Sequence, residues 1–249
     1  MQLLELLILI AAAFVPSLLY LVWIRNTERF TREPYGRLLR VFVFGATVSV
    51  ALALVWEIIL MILLGMNAER VYQLLGENPN LMTILLACVI APFVEEATKA
   101  LGVFRVRRLM SELEDGLVYG AAVGLGFAAT ENLIYEGNAY LADGAGAFIA
   151  TTIVRSLSSA LLHAGATSVM GLGVARAALQ GRSSFPHYLG AVTMHALFNL
   201  GASLGILYEG EIGEVAYLIG LVVAFVIAIS GISMVRAKIR HLERARRYP

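Results

Sequence analysis

The chain has 249 residues, of which 59% are hydrophobic, and a formal net charge of +1. A soluble domain is about 45–50% apolar, so the composition excludes an ordinary soluble protein, and the small net charge argues against a nucleic-acid partner. The one cysteine, Cys88, excludes an intrachain disulfide and a cysteine-based metal centre.

Apolar runs long enough to cross a bilayer core, about 20 residues, lie near Leu3–Ile24, Arg40–Gly65, Leu81–Phe104, Gly116–Tyr135, Ala147–Ala175, His187–Tyr208 and Ile212–Val235. They predict an all-α polytopic bundle of about seven transmembrane helices, one integral-membrane domain over 1–249. The first run has no basic residue before it and is long for a signal-peptide core, so a retained helix is expected. Five arginines (25, 29, 32, 37 and 40) follow the first span, three (105, 107 and 108) the third, two (176 and 182) the fifth, and six basic residues the seventh. Thus 16 of 19 basic residues fall on one side, Arg70 falls on the other, and Lys99 and Arg155 lie within spans. By the positive-inside rule the N-terminus is outside and 236–249 is a basic cytoplasmic tail facing anionic lipid headgroups. A multi-pass protein of the cell membrane is expected. The connecting loops are too short for a soluble domain.

Charge inside a span is costly, about 2.5–3.5 kcal/mol per residue near the bilayer centre, and so marks function by default. Glu95, Glu96 and Lys99 share the third span; Lys99 is at i+4 and i+3 from the glutamates and can pair with either. Two carboxylates so close in low dielectric cannot easily both ionise, which suits one of them to proton transfer. Pro92 lacks an N–H and is expected to kink this helix, leaving the Cys88 carbonyl without a partner and admitting water. The fourth span carries Gly116, Gly120 and Gly124, a small-residue seam for a close neighbour, leading to Phe127 and Glu131. Asp115 ahead of it reads as a helix N-cap. The fifth span holds Arg155 and His163. In the sixth, His195 and Asn199 at i, i+4 place an imidazole and an amide on one face, an arrangement suited to an oxyanion. Glu57 in the second span and Arg155 lie at similar depth and are expected to pair. His187 and His241 are assigned no chemistry.

The series Glu95-Glu96-Ala-Thr-Lys99, Phe127-Ala-Ala-Thr-Glu131-Asn132, His163 and His195-Ala-Leu-Phe-Asn199 resembles the PrsW family of glutamic-type intramembrane proteases, related to the group that includes CAAX prenyl endopeptidases and bacteriocin-immunity proteins. The resemblance covers about Leu81 to Leu200, with the catalytic helices over about 81–208. It implies peptide-bond hydrolysis within the membrane. Glu95 or Glu96 would be the general base, Glu131 would help to hold the water, and His195 with Asn199 would form the oxyanion hole, supported by Lys99, Phe127 and Arg155. In the CAAX branch the second motif ends in His; here it ends in Glu131, so His163 is the candidate for the missing imidazole. By the same analogy the substrate is a membrane-anchored protein, such as an anti-sigma factor.

No cofactor is expected, but zinc is an alternative. His163, His195 and Glu95 would form a two-histidine, one-carboxylate set, although no His-Glu-x-x-His spacing is present. A proton-coupled transporter or a non-catalytic membrane scaffold would also bury such groups. Counting along the spans puts the cavity near midplane and open toward the cytoplasm. Glu131 lies further out, which requires the fourth helix to run past Tyr135 or to tilt. Oligomeric state is not readable from these residues.

Overall fold

The computed structural model describes residues 3–247, and among these there is no β-strand. Helix α1 (Leu3–Arg25) is followed by α2 (Tyr35–Phe44), which passes through a π-helical turn, Gly45–Ser49, into α3 (Val50–Gly65) as one rod. Short α4 (Ala68–Leu74) precedes α5 (Pro79–Ile84), which runs through a second π-helical turn, Leu85–Ile90, into α6 (Ala91–Arg105). Then come α7 (Leu113–Leu157), α8 (Ser159–Gln180), α9 (Phe185–Ala202), α10 (Leu204–Ile212) and α11 (Val215–Arg247).

Among the described residues, six helical stretches are long and apolar enough to cross a membrane, and one of them, Leu113–Gln180, is 68 residues long. At 1.5 Å per residue it would far exceed the bilayer if straight. It folds back on itself instead. Gly144 takes φ +79°, a conformation that glycine adopts without a Cβ penalty, and Ser158 breaks the helix again. Gly116 then meets Gly171, Gly120 meets Thr167 and Gly124 meets His163, the order of an antiparallel pair. The seven predicted passes are therefore carried by six continuous stretches. The fourth pass runs beyond Tyr135 to the bend at Gly144, where the sequence suggested two separate spans.

The glycine seam works as expected: a Cβ on any of its three glycines would collide with the α8 backbone. On the other side, Gly126 leaves room for the Phe42 carbonyl of α2 and Gly45 for the Val123 carbonyl of α7 in the same way. Every residue from Gly116 to Ala129 is buried, so α7 is the central helix. Its start differs from the expectation. Glu112 is the N-cap, while Asp115 at the third helical position reaches back to the N–H groups of Glu112 (2.9 Å) and Ser111 (2.7 Å), completing a capping box. Residues 236–247 form the last turns of α11, in which Ile239 and Glu243 are buried.

Candidate active site

The third-span motif lies on α6 with Lys99 fully buried. Its ammonium donates to Glu95 Oε2 (3.0 Å), Glu96 Oε1 (2.9 Å) and His163 Nδ1 (2.8 Å). The Phe127 ring lies 4.1 Å from it, adding a cation–π contact. With Nδ1 of His163 accepting from lysine, its Nε2–H is left to donate to Glu131 Oε2 at 2.8 Å.

Glu96 is fully buried and fully satisfied. Besides Lys99 it accepts from His195 Nδ1 (3.1 Å) and from the Thr167 hydroxyl (3.0 Å). His195 Nε2 is turned toward Glu95 Oε2, 4.0 Å away, and the two imidazoles meet edge to face at 4.9 Å between centroids. Of the paired glutamates only Glu95 lines the adjacent cavity, about 220 Å³, together with Ala53, Glu57, Phe127 and Glu131. That cavity opens sideways past exposed Leu54, Ile134 and Tyr135, rather than toward the arginine-rich face as the sequence suggested. Beyond Ala53 no residue of α3 is buried. A cleft of about 260 Å³ does lie at the arginine-rich end, between Arg37, Arg40 and Arg105, but it contains none of these groups.

Two sequence expectations change. Arg155 does not pair with Glu57: its guanidinium bonds Glu131 (2.8 Å), Asn132 (2.8 Å) and Ser159 (3.0 Å) and stacks 3.9 Å over the Tyr135 ring. The bend in α7 brings residue 155 back over residue 131, a contact that depth counting cannot foresee. One Glu57 carboxyl oxygen is buried without a partner.

The orphan carbonyl made by Pro92 belongs to Ala87, not Cys88. In the π-helical turn the Ala91 N–H bonds Leu86 O, one residue further back than in an α-helix, so Pro92 fails to serve Ala87. The Asn199 amide donates to that carbonyl at 2.7 Å. Asn199 thus braces the turn beside the cluster.

Glu95, Glu96, Lys99, Phe127, Glu131, Arg155, His163 and His195 form one connected network. Thr167 and Ser159 were not singled out from sequence, and Asn132 entered only as the last residue of the second motif. Of the first two, Thr167 left a signal there, being one turn after His163 on the same face.

The donor set suits a metal ion in one respect. Ligand atoms of Glu95, His163 and His195 all lie within 4.8 Å of one another. Each histidine also sets its other ring nitrogen against a carboxylate, Glu131 or Glu96, as metal-binding histidines do. Lys99, however, places a positive charge among the same ligands.

A bundle of membrane-crossing helices around a buried glutamate–histidine–lysine network defines a polytopic membrane protein with an intramembrane polar site. The profile of the "PrsW family intramembrane metalloprotease" matches residues 33–229, and the chain belongs to the PrsW family. It is 32% identical over 126 residues to Protease PrsW of Clostridioides difficile (strain 630), covering 49% of this chain and 48% of that one. It is 28% identical over 163 residues to Protease PrsW of Geobacillus kaustophilus (strain HTA426), covering 66% and 64%. The matches thus span about half to two thirds of these relatives' lengths. No solved structure matches the chain.

Proposed function

We propose that the protein is an intramembrane endopeptidase acting on membrane-anchored proteins, with Glu95 as the general base. The observation that carries this reading is the division of labour between the adjacent glutamates. Glu96 spends both oxygens on Lys99, His195 and Thr167, whereas Glu95 lines the cavity. Glu95 would take a proton from water as the water oxygen attacks the scissile carbonyl, and return it to the amine as the C–N bond breaks. His195, oriented through Nδ1 by Glu96, would turn its Nε2 edge toward the developing oxyanion. The fixed charge of Lys99 adds stabilisation in a largely buried site. Glu131 and Arg155 hold His163, and through it Lys99. Asn199, with its amide given to Ala87, is a positioning residue in this scheme.

A second reading is favoured by the carboxylate-backed histidines. Glu95, His163 and His195 would hold a zinc ion, which when bound would polarise the carbonyl and acidify water. It requires Lys99 to withdraw or to lose its proton, because the ammonium lies 2.8 Å from His163 Nδ1 and 3.0 Å from Glu95.

The test is cleavage of a set of single-span membrane proteins by reconstituted protein, comparing wild type, Glu95→Gln and Glu96→Gln with and without a zinc chelator. Cleavage lost in Glu95→Gln and kept with chelator is the expected result. Loss with the chelator together with metal in the purified protein moves the site to zinc, and no cleavage of any single-span protein counts against a peptidase.

A further inference from the structure

The cavity beside Glu95 is the inner end of a longer groove. It shares Glu57 and Ala91 with a second cavity of about 260 Å³, which shares Met61 and Leu86 with a third of about 190 Å³. On α3 the lining residues include Val50, Ala53, Glu57, Met61 and Leu64, spaced three or four apart, so one face of this helix forms a whole wall. From Val50 to Gly65 that wall is roughly 22 Å long at 1.5 Å per residue. Each cavity is below the size of a typical small-molecule pocket, about 300–1,000 Å³. Strung in a row, they fit a chain rather than a compact ligand.

The opposite wall is the π-helical turn, through Leu86, Ala87 and Ile90. Irregular backbone at membrane depth is tolerated where it is buried in protein or lines a wet cavity. Glu57 projects from α3 between the two walls with one carboxyl oxygen buried and unpartnered. A lipid acyl chain has no donor for that oxygen. A transmembrane segment unwound at its scissile bond has free backbone N–H groups that need an acceptor.

Building on the peptidase reading, we propose that this groove receives the apolar transmembrane segment of another protein from the side, and that Glu57 accepts N–H groups of its unwound stretch beside Glu95. Glu57 is then a substrate-binding residue, and the π-helical turn that Asn199 braces is the second wall of the binding cleft.

The experiment uses the full chain with Glu95→Gln, reconstituted in phosphatidylcholine vesicles with a fluorescent Lys-flanked Leu/Ala transmembrane peptide carrying a central Gly-Pro pair. A photoreactive benzoylphenylalanine replaces Met61 in the groove or, as control, the exposed Val226 on α11. Labelling from Met61 several-fold above Val226 is expected. Glu57→Leu should reduce it about tenfold, the worth of one good hydrogen bond. Glu57→Gln, which keeps both shape and acceptor, should retain most of it. Equal labelling from Met61 and Val226 overturns the groove, and labelling indifferent to Glu57→Leu overturns the role of Glu57. Hydrolysis is not read, so a protein that labels the peptide yet never cleaves a substrate sustains the groove and rejects the peptidase.

Discussion

Two of the molecule's clusters of buried carboxylates are treated differently. Around the cavity, Glu95, Glu96 and Glu131 are met by Lys99, Arg155 and two histidines. At the arginine-rich end, buried Glu28, Glu33, Asp115 and Glu243 are met largely by backbone N–H groups and a phenol. Glu243 takes the N–H groups of Arg29 and Phe30, Asp115 those of Ser111 and Glu112, Glu28 that of Glu33, and Glu33 accepts from Tyr119. Glu28 is fully buried, and burial, reinforced by the neighbouring Asp115, Glu33 and Glu243, pushes its carboxyl up to about 8. Burial likewise raises Glu33. The second cluster fastens the 26–34 loop to α11 and α7. A buried carboxylate is therefore not in itself a mark of chemistry: one cluster is balanced by cations and borders a cavity, the other is met largely by backbone N–H groups.

The contrast is sharpest in function. Glu95→Gln should lower cleavage by about 10²–10⁴-fold, the range for loss of a general base, while thermal unfolding in detergent stays nearly unchanged. Glu28→Gln should leave cleavage intact, and loss of cleavage in both would dissolve the distinction. Next in size, Lys99→Met strands two carboxylates in a dry interior. A fall in stability of about 3–5 kcal/mol is expected, partly recovered by adding Glu96→Gln; an unchanged melting temperature would mean that the ion pairs contribute no net stability.

Asn199→Ala should cost about 1–3 kcal/mol by leaving the Ala87 carbonyl unsatisfied. Should Asn199 act instead as an oxyanion donor, stability would hold and turnover would fall about 10²–10³-fold, so a melting curve beside a rate measurement separates the two. The smallest effect concerns pH. Because Glu28 is raised in the folded state, its contribution is fully present below its ordinary carboxylate range and is lost as pH rises toward about 8. Amide exchange at Arg29 and Phe30 should quicken across that interval as the loop loosens. Glu28→Gln should flatten the dependence.

Much of this was legible in the chain. Runs of apolar residues give the passes, the glycine repeat gives the α7–α8 seam, and the spacing of Glu95, Glu96 and Lys99 gives their pairing. Less legible were the passes joined through Gly144, where the chain bends at a positive φ instead of leaving the helix for a loop. The Arg155 partner followed from that bend. The register shift at Leu85–Ile90 moved the orphan carbonyl by one residue and gave Asn199 its bond.

What the sequence by itself determined is the membrane class, the helices and the neighbours one turn apart, because helix geometry fixes i+3 and i+4 contacts locally. What only the tertiary structure decided is which Glu faces the cavity, which cation meets Glu131, and that α3 leaves a groove. These depend on how each helix is rotated and bent against the next, and a single bend or π-helical turn resets the facing side chains without changing any local pattern.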